Sequence, residues 1–252
     1  GIDFTGGTMI QLDIGKFVSV EEARQIMDEY DNNASLIHVG ANQEELIIRS
    51  SLDLSNADTT AIVDKFVEIH GMDRNNFQTQ KFGPFMGKEI RDRALFSIII
   101  ASVLMLGYIS FRFQFKFGVA AIVALIHDIL VTLAIYSILR LPVNSSFIAA
   151  MLTIVGYSIN DTIVIFDRIR EQLRISQKDN LETIVNNSVK LSLRRTINTT
   201  VTTVLAVGVL YILGVEDVKV LALPLLLGML SGTYSSIFIA SPIWYTLKKG
   251  RV

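Results

Sequence analysis

Residues 151–171, MLTIVGYSINDTIVIFDRIRE, make an apolar helical run that carries Asn160 and Asp161 inside it and then breaks into alternating charges. A carboxylate in mid-membrane costs about 2.5–3.5 kcal/mol, so an acid at that depth points to a functional site. The run is one of five, at residues 94–110, 118–139, 145–166, 196–213 and 220–244. Each falls in the range of about 17–25 residues that lets a helix cross a bilayer core. Residues 1–93, by contrast, are mixed and charged. Half of the chain is hydrophobic and its mean hydropathy is +0.45, but the apolar residues are segregated. The pattern implies an α-helical membrane bundle with a water-soluble domain.

Within residues 1–93 the hydrophobic period changes from two to about 3.6 and back. Strands are expected at 9–14, 36–39, 45–49 and 76–82, with a turn at Gly40, Ala41 and Asn42 between the middle pair. Ser19 reads as the N-cap of a helix over 19–30 that turns Ala23, Ile26, Met27 and Tyr30 inward. A second helix over 58–70 would bury Ile62, Phe66 and Ile69. The order βαββαβ is that of a ferredoxin-like α+β domain. Residues 86–93 form a polar lead-in to the first span.

Several function classes drop out. The net charge of −1 comes without a basic cluster interleaved with aromatics, so nucleic acid is not an expected partner. The chain has no Cys and three scattered His, which leaves no thiolate or HExxH metal site and no soluble-hydrolase motif. Neither Gly6-Gly7 nor the stretch from Gly83 to Lys88 has phosphate-loop spacing. There is no N-terminal Met and no signal peptide, so a hydrophobic segment or fusion partner is expected upstream.

Lys and Arg in the short loops set the orientation. With residues 1–93 outside, the inner side carries Arg112, Lys116, Arg168, Arg170, Arg174, Lys178, Lys190, Arg194, Arg195, Lys248, Lys249 and Arg251, against Arg140 and Lys219 outside. That bias makes residues 1–93 extracytoplasmic, residues 167–190 a cytoplasmic amphipathic segment, and 248–252 a cytoplasmic tail. Arg112 and Lys116, among the aromatics of 111–117, add an interface signature.

In this topology the third and fourth spans run in opposite directions, which brings Asp161 and Arg195 to similar depth. Asp161 shares a helical face with Tyr157 and Thr153, and Arg195 shares one with Thr199 and Thr202. Two facing polar stripes form a hydrated seam, and an arginine that moves toward or away from the acid is the minimum hardware for proton coupling. The competing reading is a structural ion pair that glues helices. Asp128, beside His127 in the second span, fits a relay member or a helix-packing polar residue equally well. The GxxxG of Gly228 and Gly232, beside Ser231, Ser235 and Ser236, reads as close helix packing.

GIDFTGGT at the start, FGPFMGKEIR before the first span, and VGYSINDTIVIFDRIRE followed by SLRRTINTT resemble the SecF half of the SecD/SecF family of bacterial protein export. The resemblance implies a six-span bundle related to RND transporters, with an outer domain between the first two spans. Five spans are visible here, so the first would precede Gly1, in a truncated or processed SecF or in a fused SecDF. It further implies a non-enzymatic role without a cofactor: the gradient of H⁺ or Na⁺ helps draw preproteins through the SecYEG channel after SecA has pushed them. SecD, the channel and the translocating preprotein are the implied partners, in the bacterial inner (plasma) membrane. The motif match assigns Asp161 and Arg195 to the ion path, and Asn160, Tyr157, Thr199 and Asp128 accompany them. An RND-type small-molecule or lipid exporter and a non-transporting scaffold of the translocon remain as alternatives.

Overall fold

A computed structural model of the chain describes residues 1–39, 43–176 and 179–249. The turn expected at Gly40, Ala41 and Asn42 lies outside the described residues. The chain divides into two units, one of Gly1–Leu95 with Val215–Asp217 and one of Phe96–Gly214 with the residues from Val218 onward.

The first unit runs α1 (Ile2–Thr5), β1 (Gly7–Asp13), α2 (Val20–Met27), β2 (Ser35–Val39), β3 (Glu45–Ser50), α3 (Asn56–His70) and β4 (Phe77–Phe82). Its sheet is antiparallel in the order β2-β3-β1-β4, with Ile10 opposite both Ile48 and Thr79. This is the ferredoxin-like arrangement. The period-two pattern turns Ile10, Leu12, Leu46 and Ile48 to one face, where all four are fully buried beneath Ala23, Ile26 and Met27 of α2 and Ile62, Val63 and Phe66 of α3. Ser19 caps α2 by accepting from the Glu22 backbone N–H at 3.2 Å. Ser55 and Asp58 form a reciprocal capping box on α3. Gly7 opens β1 at φ 141°, where a Cβ would lie 2.2 Å from the Ser50 carbonyl oxygen, so the Gly-Gly pair serves strand pairing.

Ile69 departs from expectation. It shares a helical face with Ile62 by i+7 spacing, yet it is 60% exposed. The hydrophobic cluster reaches along α3 as far as Val67, and in the last turn His70, tilted against Phe66 at 5.7 Å, takes the inward place while Ile69 stays exposed.

In the remainder of the chain come α4 (Pro84–Arg112), α5 (Phe115–Ile138), α6 (Ser145–Ile175), α7 (Leu181–Leu213) and α8 (Glu216–Ser235). One turn of π-helix (Ser236–Ala240) then leads into α9 (Ser241–Lys249). Among the described residues five stretches are long and apolar enough to cross a membrane: Gly87–Arg112, Phe115–Ile138, Ser145–Ile175, Leu181–Leu213 and Val218–Lys249. The Asn144 and Asn180 side chains cap α6 and α7, accepting from the Phe147 and Thr183 N–H groups at 2.9 and 2.8 Å.

The described helical residues of 167–190 belong to α6 and α7. They divide between the end of α6 and the start of α7, because Ile169, Ile184 and Val185 are buried and hold the two helices together there. At about 1.5 Å per residue, α6 and α7 are each more than 45 Å long, well beyond the roughly 30 Å of a hydrocarbon core. An aromatic cluster accompanies this extension. Phe117 stacks on Trp244 at 4.5 Å and tilts against Phe166 at 4.7 Å, while the Arg112 and Arg170 guanidiniums lie 5.2 and 5.7 Å from the Phe113 ring.

Phe66 joins α3 to the sheet at 0% exposure. Phe66→Ala should cost about 3–5 kcal/mol. In hydrogen exchange on the whole protein, amide protection in β1 and β3 should fall by the corresponding factor; unchanged protection would mean that the core does not depend on this contact.

Candidate functional site

Asp128 lies midway along α5 and is fully buried. Its Oδ2 accepts hydrogen bonds from Ser158 Oγ at 2.6 Å and Ser235 Oγ at 2.8 Å. Its Oδ1 accepts from Ser231 Oγ at 2.9 Å and lies 3.3 Å from His127 Nδ1. One carboxylate on α5 thus gathers hydroxyls from α6 and α8. Such an approach needs close backbones, and the GxxxG supplies them. A Cβ on Gly228 would come within 2.2 Å of Ile154, and one on Gly232 within 2.9 Å of Ser158. The serines beside the glycines are therefore part of the polar site as well as of the packing.

Asp161 lies on α6 three residues beyond Ser158 and is 2% exposed. Its surroundings are sparser. Thr233 Oγ1 donates to it over a long 3.4 Å, the Thr200 hydroxyl stands by as a second donor, and the two threonine hydroxyls meet at 2.6 Å. The three residues link α6, α8 and α7. A turn earlier on α6, Tyr157 donates to Thr203 Oγ1 at 3.3 Å, a second link between α6 and α7. Thr162, beside Asp161, meets Ser236 Oγ at 2.8 Å, at the start of the π turn.

The other residues singled out in the sequence are arranged differently. Among the described residues no ion pair within 4 Å joins Arg195 to Asp161; Arg195 is exposed on α7 and acts on the acid only as a charge at a distance. Thr199 turns back to its own helix, donating to the Arg195 carbonyl at 2.9 Å, and Thr202 is exposed while bonding Asn198 and Thr199 carbonyls. Asn160 is exposed on α6, and so is Thr153. The inward stripe of α7 is Ser188, Ser192, Thr196 and Thr200, each buried, followed by Thr203. It sits one residue round from the stripe expected through Arg195, Thr199 and Thr202, a rotation of about 100°. Repeated small hydroxylated residues every fourth position were the signal for it.

Chemically, the two acids differ. Asp128 accepts from serine hydroxyls fixed on α6 and α8 and acts as a junction of three helices. Asp161 is buried with the hydroxyls of Thr233 and Thr200 beside it and, among the described residues, no ion pair within 4 Å. Among the described residues no cluster of three or more His, Asp and Glu could hold a metal ion.

Interhelical hydrogen bonds in membranes average about 0.6 kcal/mol each, so Asp128→Ala should cost about 2 kcal/mol through three lost serine bonds. Gly228→Leu should cost about 1–3 kcal/mol by forcing α8 away from Ile154. Reversible unfolding of the detergent-solubilised protein measures both; wild-type stability in Asp128→Ala would remove the junction role.

Residues 62–250 match the family described as "Protein export membrane protein SecD/SecF, C-terminal". The chain is 38% identical over 249 residues to the protein translocase subunit SecF of Desulfurispirillum indicum, covering 96% of this chain and 79% of that protein. It is 34% identical over 274 residues to the SecF of Petrotoga mobilis, covering 100% and 86%. The fold is similar to the crystal structure of SecDF, a translocon-associated membrane protein from Thermus thermophilus, with TM-score 0.85 and 34% identity. That match covers 98% of this chain and 34% of the SecDF chain, so the present chain spans about a third of the solved protein. A mostly helical chain with five membrane-capable helices, a small antiparallel sheet and this similarity along nearly its whole length belongs, as a multi-pass membrane protein, to the SecD/SecF family of protein export membrane proteins.

Proposed function

We propose that the chain is the SecF part of a SecD/SecF complex that uses a proton or sodium gradient to assist preprotein translocation through the SecYEG channel. In this reading residues 1–93 lie outside the bacterial inner membrane and residues 94–247 carry the ion path. SecD supplies the remaining helices and covers apolar faces left open on this chain, such as Leu205, Val209 and Ile212 of α7. The protein works by transport and not by bond chemistry, with H⁺ or Na⁺ as cargo.

The observation that carries the reading is Asp161, a buried acid on a membrane helix whose donors are two threonine hydroxyls and which, among the described residues, has no ion pair within 4 Å. An uncompensated charge at such a site is costly, so the acid calls for a cation as its partner. The hydroxyls of Thr233 and Thr200 extend from it toward α7, and the Tyr157–Thr203 pair adds a second polar step. Arg195, Asn160 and Thr199 flank this seam. A swing of Arg195 toward Asp161 would replace the transported ion as countercharge and release it. Asp128 maintains the helix positions around the path and stands next to it through Ser158. Because α6 and α7 run past the membrane core, a small change of their packing at Asp161 is carried along rigid helices.

The scaffold reading has its own observation, the serine junction at Asp128, which suits helix assembly with no ion movement at all. The two separate in sealed vesicles, where preprotein release is followed with and without an imposed proton or sodium gradient. The gradient should accelerate release severalfold with wild-type protein and not at all with Asp161→Asn. An Asp161→Asn protein that responds like wild type would leave the scaffold as the function.

A further inference from the structure

Between α2 and α3, on the side turned away from the sheet, runs a groove of about 620 Å³, within the range of 300–1,000 Å³ typical of ligand sites. One wall is the ridge Glu22, Gln25 and Glu29, at three- and four-residue spacing. The other is Lys65 and Glu68, with Ile69 beside them. Lys65 is ion-paired with Glu29, which cancels one charge of each sign. Glu22 and Glu68 are exposed, and among the described residues neither carboxylate has an ion pair within 4 Å. The groove, which His70 also lines, therefore keeps two spare negative charges beside an aliphatic side chain, Ile69, that is 60% exposed in the last turn of α3.

From this pairing of features we propose that the α2–α3 groove binds a cationic segment of the exported polypeptide, in which lysine or arginine residues flank an aliphatic side chain. The aliphatic group covers Ile69, the cations meet Glu22 and Glu68, and the exposed Gln25 bonds a backbone amide. The proposal rests on the export reading for the source of the segment. Two exposed charges and one aliphatic contact give weak, salt-sensitive binding with little sequence demand. That suits a chain moving past, whereas a permanent subunit interface buries about 1,200 Å² or more and excludes charge from its centre.

The test uses the whole chain in nanodiscs of zwitterionic lipid, with fluorescent Lys-Leu-Lys-repeat and Glu-Leu-Glu-repeat peptides of equal length followed by anisotropy. The basic peptide should bind at low salt and the acidic one should not. Affinity should fall about fivefold or more in Glu22→Gln/Glu68→Gln, and again in Ile69→Ser, both exposed changes that leave the core intact. Equal binding of the two peptides, no binding of the basic one, or unchanged affinity in the variants would overturn the proposal. Asp161→Asn, which tests the export reading, should leave peptide binding untouched, so either idea can fail while the other stands.

Discussion

Asp128 and its three serine hydroxyls fix the geometry on which the rest of the membrane bundle depends. A carboxylate buried among apolar helices must find donors, and here it draws them from α6 on one side and α8 on the other. Meeting that demand brings α8 against α6 so closely that only glycine fits at positions 228 and 232. The contact in turn sets the rotation of α8, and Thr233, on a different side of the helix from Ser231 and Ser235, is turned toward Asp161 and Thr200. A fully satisfied acid thus determines the surroundings of a sparsely satisfied one. The first is held in place by donors on α6 and α8, and the second has fewer partners around it.

Much of the architecture was legible from patterns with one dominant cause. Alternation in β1 and β3 and the Ser19 cap specify the soluble domain because sheet pleat and helix ends impose strict local periods. The membrane helices are legible by length, since lipid requires every backbone group to be paired within its own helix. Ile69 was misassigned for a physical reason: spacing identifies a helical face, but not how far the neighbouring layer extends beneath it.

The polar site was legible in its acids and not in its partners. Asp161 and Asp128 declare themselves by their cost in a hydrophobic run. Their hydroxyl donors come from far along the chain, Ser231 being separated from Asp128 by 103 positions, and no local period connects them. On α7 the residues that pack against α6 lie one position round from Arg195, Thr199 and Thr202. A long cationic side chain can reach out from a helix edge, while small hydroxylated residues at four-residue intervals are what let two helices close together. The buried sequence Ser188, Ser192, Thr196, Thr200 is therefore the better marker of the α6–α7 contact.

The π turn at Ser236–Ala240 stands between two sets of contacts in the last span: the serines that serve Asp128, and Trp244, which stacks on Phe117. A π turn holds one residue more than the α-helical turn it replaces. Each residue of an α-helix advances the side chain by about 100°, so the extra one acts as a phase shifter between the two halves. With an unbroken α-helical register, the hydroxyl face and the indole face could not both look into the same bundle. Ser241 spans the widened turn by donating to the Ser236 carbonyl at 3.1 Å, ahead of Pro242, which has no N–H to offer. The span accordingly behaves as two short screws of the same hand joined a fraction of a turn out of step, and the offset lets one strip of sequence serve an acid at one level and an aromatic stack at another.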